Sequence, residues 1–214
     1  MSGKPESTAT EVAQPGGVPY RELTDPSTLR ALSHPVRLRI LDELATTGPA
    51  TATQLAERLG ESAANCSWHL RQLARHGFIE EAGGGTGRER PWRVVVQASS
   101  ISDIDRSRPE AARALDGLLD VLAGWELEAL RAWRARKDSE PEEWRNAALE
   151  TSRNQMWLTA DELTALKQEL CEVLDRRLTP VLERLDPANR PAGTRPVRIV
   201  AWGIPAGPPY SPPD

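Results

Sequence analysis

Cysteine is scarce in this chain of 214 residues, which has only Cys66 and Cys171. The two lie far apart, and neither belongs to a CxxC motif or a Cys-His cluster. This usage argues against a disulfide framework and against a structural zinc site. Both cysteines are therefore expected to be small buried apolar residues.

Long apolar runs are also missing. No uninterrupted stretch approaches the roughly 20 residues needed to span a bilayer, and the mean hydropathy is −0.51. The first residues are polar, without the basic start and apolar stretch of a secretory signal. We therefore expect a globular protein that has no membrane contact and is located in the cytoplasm.

The residue patterns typical of enzymes are absent as well. The sequence contains no Ser-His-Asp, Cys-His or paired-carboxylate arrangement, and the glycine-rich run at 83–87 lacks the lysine and helix of a phosphate-binding loop. The sequence therefore predicts a protein that is not an enzyme and has no cofactor.

Charge is distributed unevenly along the chain. The net charge of −4 would by itself disfavour a nucleic-acid partner, because phosphates are bound by cationic side chains. Acidic residues concentrate after residue 101, however, whereas Arg71, Arg75, Arg88, Arg90 and Arg93 lie in one short stretch. A locally basic patch on an acidic protein is expected.

The apolar pattern divides the chain into four segments. Residues 1–24 have little to bury and residues 204–214 are rich in proline, so both are expected to be disordered tails. Residues 25–97 have the pattern of short helices followed by a β-hairpin, and residues 98–203 are mainly helical. The predicted fold is mainly α, with a small β-hairpin.

Helix caps define the elements of residues 25–97. Asp25, Thr51 and Ser62 are typical N-cap residues, while Gly60 and Gly77 end the helices TATQLAERLG and AANCSWHLRQLARH. Two short helices joined by a brief turn predict a helix-turn-helix.

A hairpin is predicted directly after these helices. FIEEA and WRVVV are rich in β-branched and aromatic residues, and GGGTGRERP separates them. The tip, with Arg88 and Arg90, could lie along a phosphate backbone; a glycine-rich turn without a partner is the alternative.

The helix expected at 62–76 has two contrasting faces. At about 100° per residue, Cys66, Leu70 and Leu73 share one side and form a buried stripe. The opposite side and its flanks carry Ala64, Asn65, Ser67, Trp68, Arg71, Gln72 and Arg75. Amides, guanidiniums and small residues suit base edges and phosphates, which predicts a face that enters the major groove of DNA. Taken singly, such residues are about as often only solvated, and Trp68 could instead pack against the neighbouring helix.

A long helix opens the second half of the chain at Pro109. Its apolar residues recur every three or four positions, which predicts a dimer interface formed by Leu115, Leu118, Leu122, Trp125 and Trp133. The same side chains could wall a cavity for a small-molecule effector or simply enlarge the core.

The remaining helical segments are shorter. Residues 142–152 are expected to form one helix, and Thr159 with Glu162 forms a capping box for the next. VRIVAW, at residues 197–202, predicts a short strand near the end of the helical region.

Residues 29–95 strongly resemble the winged-helix domain of ArsR-type bacterial transcriptional regulators, above all in LSHPVRLRIL and LGESAANCSWHLRQLARHGFIEE. The resemblance implies a recognition helix at 62–76, a wing at 83–91 and a homodimer on a palindromic operator in double-stranded DNA. Within the family's SxHL pattern, it implies that Ser67 and His69 contact DNA or its backbone and that Leu70 is core. The complete predicted set is Ser62, Ala64, Asn65, Ser67, Trp68, His69, Arg71, Gln72, Arg75, Arg88 and Arg90.

The chain departs from the metal-sensing members of that family. These carry cysteine near the first helix of the motif, or acidic and histidine ligands on the helix after the wing; here the corresponding segments contain neither cysteine nor histidine. Metal sensing is therefore not expected. The predicted function is that of a transcriptional repressor, and the alternative is a winged-helix module for protein contacts without specific DNA binding.

Overall fold

A computed structural model gives the arrangement of residues 20–85, 89–101, 104–149, 156–208 and 210. Its helices and strands are β1 (Tyr20–Glu22), α1 (Pro26–Leu32), α2 (Pro35–Thr47), α3 (Ala52–Leu59), α4 (Ala63–Arg75), β2 (Ile79–Glu81), β3 (Trp92–Val94), β4 (Ala98–Ser100), α5 (Pro109–Arg136), α6 (Glu142–Ala147) and α7 (Ala160–Leu178). The predicted mainly α fold with a small hairpin is confirmed. None of the described helices combines the length and apolarity needed to cross a membrane.

Side-chain caps explain where the first helices begin. The Asp25 carboxylate accepts a hydrogen bond from the Thr28 amide at 2.9 Å, and Thr51 and Gln54 form a reciprocal capping box at the start of α3. Ser62 accepts from the Asn65 amide at 3.1 Å. Each cap satisfies an amide that the helix itself leaves unpaired, so the predicted starts of α1, α3 and α4 are confirmed.

The core of the first region is built from α1 to α4, the hairpin and the first half of α5. Leu29, Ile40 and Leu55 are fully buried, and Leu118 of α5 joins them in the same cluster. Removing one such leucine to alanine would cost about 2–5 kcal/mol, because a cavity remains. These contacts fix the orientation of α4.

The burial of α5 corrects two predictions. Leu115 and Leu118, expected in a dimer interface, are 9% and 0% exposed because they pack into the core of their own chain. The boundary expected at residue 97 is also wrong: the described residues up to Leu127 belong to one compact unit, together with Pro180–Pro196. The helical stripe was identified correctly, but its partner is the winged-helix core.

Two small sheets complete this unit. Strands β2 and β3 pair antiparallel, with Ile79 opposite Val94, as the predicted hairpin requires. The loop before α3 joins them, since Ala50 and Trp92 exchange backbone hydrogen bonds of 2.9 and 3.0 Å. Strand β1 pairs parallel with β4.

Strand β1 corrects the expected N-terminal tail. Residues 20–24 were assigned to a disordered segment, but Tyr20–Glu22 form a strand and Leu23 is 3% exposed. The reason is a partner far along the chain, at Ala98–Ser100, that local composition does not reveal. The rest of that predicted tail, residues 1–19, lies outside the described residues.

The second unit consists of Glu128–Thr179 and the residues from Val197 onward. Helix α7 starts with the predicted capping box of Thr159 and Glu162. A 3-10 helix follows it at Thr179–Leu185. The end predicted for the preceding helix falls in residues 150–155, outside the described part; α6 itself ends at Ala147.

Two expectations for this unit are wrong. Residues 197–202 form no strand, and Val197 and Ile199 are 69% and 53% exposed. Cys171 is exposed rather than buried. Among the described residues of the Pro-rich tail, the Tyr210 ring packs edge-on against Trp157 at 5.7 Å. Composition and alternation describe only local preference: residues 197–202 pair with none of the described strands, and Cys171 lies on an exposed part of α7.

Candidate nucleic-acid interface

A tight turn joins α3 to α4. Gly60 has φ of 67°, a left-handed conformation that side chains with a Cβ rarely adopt. The amide of Glu61 donates to the Ala56 carbonyl at 3.0 Å, which closes α3 before Ser62 caps α4. Three residues, Gly60 to Ser62, thus connect the two helices and set the direction in which α4 begins.

The inner face of α4 is packed as predicted. Cys66, Leu70 and Leu73 are all 0% exposed. Burial raises the pKa of the Cys66 thiol, with a further contribution from Glu61, so this cysteine remains a protonated apolar residue. These three anchors hold the opposite face of α4 toward solvent.

His69 corrects the expectation that it contacts DNA, because its side chain is only 2% exposed. Its ring lies 4.5 Å from that of His34, between centroids, and His34 itself caps α2 through Nδ1. Burial, with the neighbouring His34 and Arg37, lowers the pKa of His69 to about 4 against the opposing effect of Glu61. On the helical wheel, position 69 falls beside the buried stripe; that position, weighed above the motif, could have identified it as a core residue.

The outer face of α4 carries the other predicted residues. Ser62, Ala64, Arg71 and Arg75 are exposed, and Trp68 is 47% exposed. The half-buried members are Asn65, Ser67 and Gln72. All eight therefore lie at or near the surface of one helix, in the mixture of amide, guanidinium, hydroxyl and aromatic groups found at DNA-contacting faces.

Several of these side chains are already held by hydrogen bonds. Arg71 donates from Nη1 to the Ser67 hydroxyl at 3.0 Å, one turn away. The indole of Trp68 meets the His69 ring edge-on, with centroids 4.8 Å apart. These contacts reduce the conformational entropy that would be lost on binding a partner.

Two residues of this region were missed by the sequence analysis. Glu61 accepts from the Asn65 side-chain amide at 2.9 Å, and its other oxygen lies 3.4 Å from Arg39 of α2. The i, i+4 spacing of Glu61 and Asn65 was available in the sequence as a signal. Arg39 gave no such signal, because only the fold brings α2 beside the turn.

The wing is less basic than its arginines suggest. Arg90 forms an ion pair with Glu81 at 2.7 Å, and Arg93 forms one with Glu80 at 2.7 Å. Arg88, also predicted to contact DNA, lies outside the described residues. The described arginines of the hairpin are therefore paired with acidic residues of β2.

No metal or enclosed effector site stands out in the part of the chain that the structure describes. It contains no group of three or more His, Cys, Asp or Glu side chains placed to hold a metal ion. A shallow cleft of about 360 Å³ lies between α1 and α5; it is lined by Arg30, Ser33, Glu110, Arg113, Ala114 and Gly117. Glu110 is already paired with Arg30 at 3.0 Å in this cleft.

Comparison with known proteins supports the helix-turn-helix. Residues 32–82 match a family model described as a helix-turn-helix domain. Together with the β2–β3 hairpin, the match identifies a winged helix-turn-helix within the chain. No curated protein sequence matches significantly.

Two solved structures are similar to this chain. One is the homodimeric winged helix-turn-helix DNA-binding domain of Mb0332 from Mycobacterium bovis, a possible ArsR-family transcriptional regulator; it is 26% identical over 46% of this chain and 76% of that one, with a TM-score of 0.29. The other is the transcriptional regulator Tm0710 from Thermotoga maritima, 10% identical over 71% of this chain and 89% of that one, with a TM-score of 0.26. At these TM-scores the superpositions add nothing to the domain match.

Proposed function

We propose that this protein is a sequence-specific transcriptional regulator that binds double-stranded DNA as a homodimer, with α4 in the major groove. The observation that carries the proposal is the outer face of α4. It follows a helix-turn-helix turn, it is exposed, and it presents amide and guanidinium groups while three fully buried anchors support it from behind.

The dimensions and chemistry of α4 suit this role. Its 13 residues extend about 20 Å at 1.5 Å per residue, and an α-helix fits the major groove of about 12 Å width. Asn65 and Gln72 can pair with base edges, whereas Arg71 and Arg75 can fork onto guanine or phosphates. The Trp68 ring suits thymine methyl groups and sugars.

The wing at 83–91 has a secondary role in the proposal. Its tip would lie along the phosphate backbone, where Arg90 would exchange its partner Glu81 for a phosphate. Because that exchange sacrifices an existing ion pair, the wing should add less affinity than the arginines of α4.

A second face of α5 suits the proposed homodimer better than the one that is buried. Leu119 and Leu127 are 46% and 42% exposed, and the exposed Ala123 lies between them at four-residue spacing. Leu122, Trp125 and Trp133, also expected in the interface, are half-buried and lie on the side of α5 that carries Leu118, so they are not part of this second face. A two-fold dimer would place two recognition helices about 34 Å apart, one turn of DNA, on a palindromic operator.

Replacement of both Arg71 and Arg75 by alanine tests the DNA contact. We expect specific DNA binding to be lost at physiological salt, and the magnitude of the slope of log affinity against log salt to fall by about two per protomer, or about four for the dimer. Fluorescence anisotropy over a salt series, on fragments selected with the wild-type protein, measures both quantities. Arg113→Ala with Arg131→Ala is the matched control, since these arginines are exposed on α5; an equal effect of both pairs would contradict the assignment to α4.

Repression is the proposed outcome of binding, because a dimer seated on an operator excludes polymerase from an overlapping promoter. Footprinting on the promoter of the protein's own gene, with a reporter fused to it, tests this point. Higher reporter output without the protein supports repression. The alternative, a module for protein contacts, predicts no protected site.

A further inference from the structure

Glu61 is an acidic side chain at the edge of the proposed DNA-binding face. It lies in the turn immediately before α4, where phosphates would come close, so its charge opposes the binding of any DNA. Its position is nevertheless held by two elements: Oε2 accepts from Asn65 Nδ2 at 2.9 Å, and Oε1 lies 3.4 Å from Arg39 Nη1. Arg39 also donates to the Leu59 carbonyl.

These contacts orient the Asn65 amide. An ionised carboxylate only accepts hydrogen bonds, so it must face the NH₂ group of Asn65 and not the carbonyl oxygen. The Asn65 backbone amide is tied as well, to the Ser62 hydroxyl at 3.1 Å. One N–H of Asn65 Nδ2 is therefore occupied by Glu61, and Oδ1 is fixed as the acceptor that the side chain offers to a partner outside the helix.

The orientation of an amide determines which base edges it can select. In the major groove an oxygen acceptor pairs with the exocyclic amino group of adenine or cytosine, whereas guanine and thymine present acceptors at the corresponding positions. If the side-chain amide of an asparagine can rotate by 180°, it can present either its oxygen to an amino-bearing base or its NH₂ group to a base with an acceptor. When the amide is fixed, the oxygen and the NH₂ group can no longer exchange positions.

We propose that Glu61, anchored by Arg39, is a positioning residue that sets base specificity: it holds the Asn65 amide so that Oδ1 selects an amino-bearing base, adenine or cytosine. This inference rests on the proposed function and extends it to one base position. It also explains why an acidic residue lies beside a DNA-binding face. The charge of Glu61 lowers the affinity for every DNA sequence, but its hydrogen bond to Asn65 improves the discrimination between sequences.

Selection of bound sequences from a random DNA library tests the proposal. The wild-type protein should prefer adenine or cytosine at one position, and Asn65→Ala should lose that preference. Glu61→Gln should relax the same position roughly fivefold or more while retaining the rest of the motif, because a glutamine amide can face either end of Asn65. Combining both substitutions should add no further loss at that position.

Glu57→Gln is the matched control, since it removes the same charge from an exposed position on α3. Both glutamine variants should bind non-specific DNA more tightly, but only Glu61→Gln should change the motif. Arg39→Gln should reproduce part of that change. Thermal unfolding of each variant verifies that the fold is kept.

The outcomes separate the two proposals. If the wild-type protein enriches no motif, the proposed function fails, and this inference fails with it. If a motif is enriched but Glu61→Gln leaves it unchanged, or the position lost in Asn65→Ala is guanine or thymine, only the role of Glu61 is overturned.

Discussion

Adjacent side chains on α4 illustrate how a rotation of about 100° per residue separates structural from functional roles. Trp68 is 47% exposed, while His69 is 2% exposed and contacts the ring of His34. The helical wheel placed Trp68 on the DNA side, and the resemblance to the SxHL pattern placed His69 there. His69 cannot contact DNA, because its side chain is buried between α2 and α4.

The burial of His69 predicts a pH-dependent stability. Its pKa in the folded protein is about 4, lowered by burial and then by His34 and Arg37 against the opposing effect of Glu61. The unfolded chain, with an ordinary pKa near 6.5, then binds more protons between these values, so the free energy of unfolding falls as pH decreases from about 6.5 to 4. Urea denaturation across this range measures the slope.

His69→Leu is the variant to compare, since leucine fills a buried site without titrating. Its slope between pH 6.5 and 4 should be flatter than that of the wild type. Asp25 should not interfere with this comparison. Hydrogen bonds from Ser27 and Thr28 overcome the effect of burial and lower the pKa of Asp25 to about 2, so its stabilising contribution to the free energy of unfolding is lost only below pH 4. Equal slopes for both proteins would contradict the buried, neutral His69.

At the scale of elements, the turn between α3 and α4 determines how the candidate site is presented. Gly60 in the left-handed region ends α3, and Ser62 begins α4 two residues later. Caps and glycines such as these act locally, which is why the sequence predicted both helices and the turn. The hairpin was predicted for the same reason, although its ion pairs to Glu80 and Glu81 were not.

Gly60→Ala should lower the free energy of unfolding by about 1 kcal/mol, because alanine is strained at positive φ. Gly117→Ala offers a control of opposite sign. Gly117 lies within α5, and a Cβ there would meet nothing within 4 Å. This variant should be more stable by about 0.5–1 kcal/mol, since alanine favours the helix. Chemical denaturation measures the free energy of unfolding of both variants. If both substitutions changed it in the same direction, the positive φ assigned to Gly60 or the helical conformation assigned to Gly117 would be contradicted.

At the scale of the whole molecule, α5 has one buried apolar face and one exposed apolar face. One contains Leu115 and Leu118 and completes the winged-helix core; the other contains Leu119 and Leu127 and remains exposed. An exposed apolar stripe on a helix is a common feature of subunit interfaces. We therefore propose that the homodimer interface is formed by the exposed face with Leu119 and Leu127.

Leu119→Glu with Leu127→Glu should convert the dimer to monomer, because like charges would meet across a two-fold interface. Light scattering after size exclusion measures the mass. Ala135→Glu adds one negative charge at an exposed position on another face of α5 and should leave the dimer intact. A dimer that persists in the double variant would exclude this face as the seam.

The sequence by itself determined the features that depend only on residues close together along the chain. Caps, glycines and helical spacing located α1 to α4, the buried stripe of Cys66, Leu70 and Leu73, and the polar face behind it. These follow from backbone hydrogen bonding and from the period of the helix, both of which act over a few residues.

Only the tertiary structure decided which partners those faces meet. It paired Tyr20–Glu22 with Ala98–Ser100, turned Leu118 into the core and enclosed His69 beside His34. It also brought Arg39 to Glu61. The physical reason is common to all: an apolar stripe or a strand specifies that it must be covered, but the identity of the covering residues depends on contacts between segments far apart in the chain.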